Sequence, residues 1–443
     1  MGDGGNTAGA PQMASPAADR LGKALGRVRD EAGRELQALR ARPDRLPAYD
    51  YFLDLLAGGV RPDALERRTG KPALNLLCIQ APLELAHAAG FLPFKIFSGS
   101  YAADAVGASG RLPALVCPML RAVQGVVRLG GGEGRAGDGG NPFLRRPWVL
   151  PTTCDWIVKL PEMLRLGSPD LAPGLHWLEL PHLKDAEPGR RRWLEEVFGF
   201  KAFLEDAAGV KIDRKRLAAS MAVYGRAWAA FARLGERRRA GDVPFAWFLA
   251  VANSFFLDAP ERWTEAVGAL LDVLPRARGA DAAAGRRAGR VFFAGSPVFF
   301  PNFKLPGLLE EAGLAVVGDD LCSSGRVIPP HGPDGVGAGT SEYELVAALA
   351  ERYHQGCLCP TFADNDRRVH GIFGALDGGG GRRFDGVVFH VLKGCHPYDL
   401  ESCALEAPVK AKGLKFLRVE TDYAAEDARN LLTRLEAFRQ TLG

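Results

Sequence analysis

The sequence lacks the features that would place it in several large function classes. Lys and Arg number 56 against 52 Asp and Glu, so the formal charge of +4 over 443 residues leaves no basic footprint for nucleic acid. No apolar run approaches the roughly 18 to 20 residues needed to cross a bilayer, because Asp, Asn or Pro interrupts the longest ones. The opening MGDGGNTAGAPQMASPAAD has neither a basic start nor an apolar core and reads as a tail, not a targeting signal. Asn6 stands where a myristoylation pattern wants Ser or Thr. A phosphate-cradling loop is also missing. Gly70 and Lys71 are followed by Pro72, and the Gly-rich stretches 131–141, 331–339 and 377–383 lack the strand–turn–helix setting of such a loop, so they read as surface loops. Nor are there cysteine pairs with two residues between them, the usual mark of a zinc site; Cys357 and Cys359, the near neighbours, have one. These absences lead to the expectation of a cytoplasmic protein with no nucleic-acid or membrane partner and no ATP site of its own.

What is present is an ordinary globular composition, 47% hydrophobic and 24% charged, long enough for two or three domains. Residues 1–18 read as a disordered tail and 19–70 as N-terminal helices. From residue 71 to 188 strand-like and helix-like segments alternate. The run 72–80 is followed by PLELAHAAG with Gly90 as its stop, then LPFKIFSGS, WVLPTTCD, the helical WIVKLPEMLRLG and HWLELPH. Residues 189–289 carry long helical patterns and no convincing strand, a bridge between two halves. Alternation resumes over 290–443 with RVFFAGSP, KLPGLLEEAG, LAVVGDDLC, FDGVVFHVLKGC, LKFLRVETD and a closing helix. The fold class expected is α/β, with two Rossmann-like doubly wound parallel-sheet domains joined by a helical segment and a cleft between them.

Eight cysteines are available: Cys78, Cys117, Cys154, Cys322, Cys357, Cys359, Cys395 and Cys403. In a reducing compartment they are free thiols, catalytic groups or metal ligands rather than structural disulfides. Cys78, Cys154, Cys322 and Cys395 fall at predicted strand ends, where open α/β sheets bind ligands. Cys117, Cys359 and Cys395 are followed by Pro at once or after one residue, which sets their sulfurs on loops. For any single one of them a core thiol is the plain alternative. Widely spaced cysteines at strand ends suit an iron–sulfur cluster held between two domains. Cys403 lies inside a predicted helix and is assigned to packing.

The stretches CIQAPLELAHAAG (78–90), LPALVCPMLRAVQG (112–125), VLPTTCDWIVKLPEML (149–164), RVFFAGSP, VVGDDLCSSGR (316–326), HVLKGCHPYDLE (390–401) and LRVETDYAAEDARNLLTRLEAF (417–438) resemble one family. It comprises the subunits of 2-hydroxyacyl-CoA dehydratases (the D-component) and benzoyl-CoA reductases, with the related double-cubane cluster proteins. The resemblance implies a 4Fe-4S cubane between two Rossmann-like domains, held by Cys117, Cys154 and Cys395 with one iron open. It implies an ATP-hydrolysing activator protein, with its own cluster, that supplies a low-potential electron. It also implies pairing with a similar subunit, as a homodimer or heterodimer, and an acyl-CoA or small reducible molecule as substrate. In the dehydratases the electron enters the thioester carbonyl, the neighbouring hydroxyl leaves and the electron is returned; in the reductases it stays in the product. Cys322, Cys357 and Cys359 bring the loop cysteines to six, which would suit a double-cubane 8Fe cluster. The other reading keeps them as ordinary thiols around a single cubane, and Cys78 is open as a substitute ligand. A noncatalytic structural or zinc-binding partner subunit is the further alternative.

Other residues have two readings each. Glu84 is a ligand contact or a first-turn acid favoured by the helix dipole. His396, beside Cys395, is a proton carrier in a substrate cleft or a turn imidazole facing water. Ser296, with Gly295, ends a strand of the second domain where substrate contact is expected. Thr153 and Asp155 flank Cys154 and either hydrogen-bond cluster sulfur or cap the next helix. His87 is taken as a packing residue.

Overall fold

The computed structural model describes residues 16–59, 61–109, 112–113, 115–132, 141–167, 174–275, 289–328, 339–356, 358–363, 365–377 and 384–442. Residues 1–15, most of the three Gly-rich stretches and Cys357 lie outside these ranges.

Helix α1 (Pro16–Arg40) begins inside the stretch read as a tail, three residues before the expected start; α2 (Asp50–Ala57) and α3 (Pro62–Thr69) follow. The first sheet is built from β1 (Ala73–Leu76), α4 (Leu83–Ala89), β2 (Leu92–Lys95), α5 (Tyr101–Ala108), α6 (Pro118–Gly132), β3 (Trp148–Pro151), α7 (Asp155–Gly167) and β4 (Leu175–Leu178). Its strands run parallel in the order β2-β1-β3-β4. Every residue of β1, β2 and β3 is buried. That burial explains why these strands read as near-continuous apolar runs instead of alternating ones: helices cover both faces.

Four helices follow, α8 (Glu187–Ala208), α9 (Arg214–Arg239), α10 (Phe245–Ser254) and α11 (Pro260–Val273), with no strand among the described residues between β4 and the second sheet. Their large aromatics anchor them through polar tips. The indole of Trp193 donates to the Ala350 carbonyl at 2.8 Å, and that of Trp263 donates to Ser254 Oγ at 3.1 Å. Helix α9 touches α4 and α11 on one side and the second sheet on the other, so the helical segment packs against both halves.

The second half comprises β5 (Gly289–Gly295), α12 (Lys304–Glu311), β6 (Leu314–Asp319), α13 (Glu342–Gly356), α14 (Asp366–Leu376), β7 (Gly386–Leu392), α15 (His396–Ala411), β8 (Lys415–Thr421) and α16 (Ala428–Gln440). Its sheet is parallel with order β6-β5-β7-β8, the same topology as the first. Each sheet therefore has a point where successive connections leave in opposite directions, between β1 and β3 in one and between β5 and β7 in the other. A crevice opens beyond the carboxyl ends of the strands at such a point.

Candidate functional site

The loops that follow the four strands at these two points carry Cys78, Cys154, Ser296 and Cys395. Cys154 directly precedes α7, Cys117 directly precedes α6, and Cys395 is the N-cap residue of α15. The two halves meet closely here. Gly394 has φ +76°, and a Cβ on it would lie 2.2 Å from the Leu115 carbonyl oxygen and 3.3 Å from the Cys117 nitrogen. Only a residue without a side chain fits both the backbone angle and the contact. The Trp156 indole donates to the Gly394 carbonyl at 3.3 Å, which pins the Cys154 turn to the same point. Cys117, Cys154 and Cys395 thus belong to one packed cluster of side chains.

Backbone N–H groups of the following turns point at these sulfurs: Leu120 and Met119 at Cys117, Ile157 and Trp156 at Cys154, Tyr398 at Cys395. Helix N-termini supply such donors because their first N–H groups have no intrahelical partner. The bare thiols are held protonated, since burial pushes all three up; neighbouring sulfurs add to the shift at Cys117 and Cys395, and Asp155 adds to it at Cys154, with Cys395 reaching about 12. Tyr423, close enough to feel Cys117 and Cys395, has a buried hydroxyl with no hydrogen-bond partner among the described residues.

A second trio adjoins the first. Cys78 follows β1, Cys322 follows β6 and Cys359 follows α13; burial raises Cys78 to about 12 and raises Cys359 as well, and each of these two feels Cys322. The N–H groups of Gln80 and Ile79 face Cys78, and that of Thr361 faces Cys359. All three cysteines line a cavity of about 650 Å³. The two trios are neighbours, because Cys322 also acts on Cys395. The loops carrying Cys322 and Cys359 are rigidly held. Asp319 accepts from the Leu321 and Gly325 N–H groups at 2.9 Å each. Arg326 donates to the Leu358 carbonyl at 2.6 Å and pairs with Asp320 at 2.7 Å. Arg368, fully enclosed, binds Asp320, Glu401 and the Leu358 carbonyl.

One cation near this trio has no carboxylate partner among the described residues. Lys95, at the end of β2, is 8% exposed and donates to the Cys322 carbonyl at 3.3 Å. Its ammonium lies 5.2, 5.6 and 4.9 Å from the ring centres of Phe97, Phe256 and Phe299. Burial lowers its pKa, while Cys322 and Cys78 oppose that shift.

Of the six cysteines expected as ligands, five are described, and they fall into these two groups: Cys117, Cys154 and Cys395 in the first, Cys322 and Cys359 in the second. Cys357 lies outside the described residues, and the third member of the second group is Cys78. Ser296 is fully buried. Its hydroxyl lies at hydrogen-bond distance of the Cys395 sulfur and accepts from the Leu392 N–H at 3.0 Å, so it supports a cysteine from behind. Gly295, at φ +107°, permits this: a Cβ there would meet the His390 carbonyl oxygen at 2.0 Å. Glu84 is also fully buried, and the structure corrects its reading as a ligand contact. Its oxygens accept from Arg352 at 3.0 Å and from the Tyr353 hydroxyl at 2.9 Å, tying α4 to α13. His396 is exposed at the first position of α15. Asp155 opens α7 as a first-turn acid, Thr153 is buried, and His87 packs between Ser220 and Glu261. Cys403 is exposed, which corrects its assignment to packing.

Sequence reasoning missed Lys95, Gln80, Arg326, Arg368, Tyr398 and Tyr423 around the trios. Lys95 had a readable signal, a lone cation in the apolar run LPFKIF; the others become neighbours only through the tertiary fold.

The donor set fits an iron–sulfur cluster: soft thiol ligands, N–H groups aimed at sulfur, a dry setting and a buried hydroxyl in want of an acceptor. Among the described residues no three His, Cys, Asp or Glu side chains group closely enough to hold a single metal ion. The zinc alternative therefore has no site among them, whereas a four-iron cube sets its ligand sulfurs further apart than one ion does. No helix among the described residues is long and apolar enough to cross a membrane.

Residues 78–442 match the family model for 2-hydroxyglutaryl-CoA dehydratase, D-component. The putative dehydratase subunit YjiM of Escherichia coli (strain K12) is 25% identical over 418 residues, covering 90% of this chain and 98% of that protein. The lactoyl-CoA dehydratase subunit beta of Anaerotignum propionicum is 25% identical, covering 86% of this chain and 94% of that protein. The (R)-2-hydroxyglutaryl-CoA dehydratase subunit beta of Acidaminococcus fermentans is 22% identical, covering 84% and 93%.

Proposed function

Because the chain belongs to the 2-hydroxyglutaryl-CoA dehydratase D-component family, we propose that it is an iron–sulfur redox subunit whose two cysteine trios each hold a four-iron cubane. Together they form a double-cubane centre that takes low-potential electrons from an ATP-hydrolysing activator protein and delivers them to a small reducible molecule. The observation that carries this reading is the second trio. One cubane needs only Cys117, Cys154 and Cys395, yet Cys78, Cys322 and Cys359 gather beside them around a common cavity.

When bound, such a centre supplies one-electron transfer and an iron able to take an oxygen or nitrogen ligand. The chain's own residues do the rest. Cys117 and Cys154 come from the first half and Cys395 from the second; Cys78 comes from the first half and Cys322 and Cys359 from the second. Backbone N–H groups stabilise thiolate charge at five of the six sulfurs. Lys95 stands at the second trio as a buried cation whose natural counterpart is an anionic cluster. The aromatic surroundings exclude water, which strengthens each of these electrostatic terms.

A second reading follows from the relatives, which are named as dehydratase subunits: a single cubane on Cys117, Cys154 and Cys395 serving radical dehydration of an acyl-CoA thioester. In either case the relatives named as beta subunits imply a partner subunit. We place the protein in the cytoplasm, pairing with a second copy or a similar subunit.

Iron and acid-labile sulfide analysis of anaerobically purified protein tests the proposal. About eight irons per chain are expected, about four would favour the second reading, and a colourless protein without iron would overturn both. Ser296→Ala gives a finer check. Loss of its hydrogen bond to the Cys395 sulfur is expected to leave the iron count unchanged and to move one midpoint potential to a more negative value, since such bonds favour the more reduced cluster. Spectroscopically monitored redox titration would show it, and an unchanged potential would mean that Cys395 is not a ligand.

A further inference from the structure

The cavity beside Cys78, Cys322 and Cys359 is large, and its lining is specific. Trp228, Phe231, Phe248, Phe292 and Phe384 form aromatic walls. Its volume, about 650 Å³ before a cubane on Cys78, Cys322 and Cys359 takes its share, lies within the roughly 300–1,000 Å³ typical of small-molecule sites.

The charged groups that reach it are compensated. Arg238 is paired with Asp319 through Nη1, its Nε and Nη2 being left as buried donors with no partner among the described residues, and Arg326 is paired with Asp320 at 2.7 Å. Glu236 and Arg239 on α9 contribute one charge of each sign. A multiply charged ligand would find no unbalanced partner in such a chamber.

Two polar groups stand apart. Gln80 is only 5% exposed, lines the chamber two residues after Cys78, and has a buried Oε1 with no hydrogen-bond partner. Its side chain makes no recorded hydrogen bond to any described residue. Buried side-chain amides are almost always paired, and an exception calls for an explanation such as a ligand that supplies the missing bond. Tyr398, 6% exposed, also lines the chamber, sits within electrostatic reach of Cys322 and Cys359, and offers a phenolic hydroxyl as a donor.

We propose that this chamber is a ligand-binding site for an uncharged, largely apolar small molecule carrying one hydrogen-bonding group, such as a ketone, and that Gln80 and Tyr398 orient that group toward the Cys78, Cys322 and Cys359 side. The inference rests on the double-cubane reading for what happens to the ligand afterwards, and on the chamber alone for binding. Gln80 and Tyr398 are positioning residues: they act by hydrogen bonding, and the apolar walls select against charged molecules.

Calorimetric titration of the full-length, anaerobically purified chain with acetophenone and with benzoate tests this, because the two probes share a ring and differ in charge. Acetophenone is expected to bind and benzoate is not. Gln80→Leu is expected to weaken acetophenone binding about five- to tenfold, Tyr398→Phe to weaken it less, and Ala232→Trp, which fills the chamber, to abolish it. No binding of acetophenone to the native chain would overturn the proposal, as would equal binding of benzoate or binding unaffected by both Gln80→Leu and Ala232→Trp. Iron analysis on the same samples reads the cluster proposal separately. Acetophenone binding without iron would retire the redox reading and leave the chamber standing, and iron without binding would do the reverse.

Discussion

Cys154→Ala is expected to reduce the iron content of the anaerobically purified chain from about eight to about four per chain, with the remaining iron still spectroscopically visible as a cubane. The reason is local. The Cys154 sulfur is the contribution of the β3 end to the first trio, and the N–H groups of Ile157 and Trp156 leave it no alternative direction. Cys78→Ala should give the same count by emptying the other trio, and the two residual clusters should differ in potential, because Lys95 lies beside only one of them. Cys403→Ala should leave the iron count unchanged, as that thiol is exposed on α15. If Cys154→Ala removes all iron while Cys78→Ala removes none, the chain carries one cubane and the dehydratase reading takes over.

The second large effect concerns stability. Arg368→Met is expected to destabilise the fold by about 3–5 kcal/mol, the usual cost of removing one partner from a buried ion pair. Arg368 is fully enclosed, and its guanidinium serves both Asp320 and Glu401 as well as the Leu358 carbonyl. Methionine fills much of the space but leaves two buried carboxylates without their shared cation. Chemical denaturation would measure the loss. Under the double-cubane reading the same variant should also lose iron selectively from the second trio, since Leu358 precedes Cys359 and its carbonyl is one of the anchors of that loop. Asp320 keeps Arg326 in the variant, so near-native stability would mean that Glu401 finds another partner.

Much of this was legible in the chain itself. The strands were readable because parallel sheets covered on both faces demand apolar runs, as in FDGVVFHVLKGC, and because each run ended at a turn former. The cysteines at strand ends followed from the same logic, since doubly wound sheets expose those ends to a cleft. What could not be read was membership of the two trios. Cys78 was left open as a substitute ligand, and it stands with Cys322 and Cys359 because the β1 end of one sheet faces the β6 end of the other, a relation that no spacing in the sequence encodes. Glu84 misled for a related reason. A first-turn acid looks free for a ligand until the fold brings Arg352 and Tyr353, some 270 positions away, against its oxygens. Helices α5, α6 and α14 were also not separately assigned, as they lie among Gly-rich stretches that weaken the apolar period.

The division of each trio between the two halves, two sulfurs from one and one from the other in alternate order, has a consequence for how the molecule is made. If each trio holds a cubane, neither half can load iron by itself, and the last thiol needed, Cys395, emerges from the ribosome when almost nine-tenths of the chain already exists. Under the double-cubane reading, insertion of metal must follow completion of both sheets, and the metal would then act as a clasp across the seam at Gly394. Exposure to air, by dissolving the clasp, would loosen that seam while Glu84, Arg352 and Tyr353 still tie the halves elsewhere, so limited proteolysis of aerated protein should open first there.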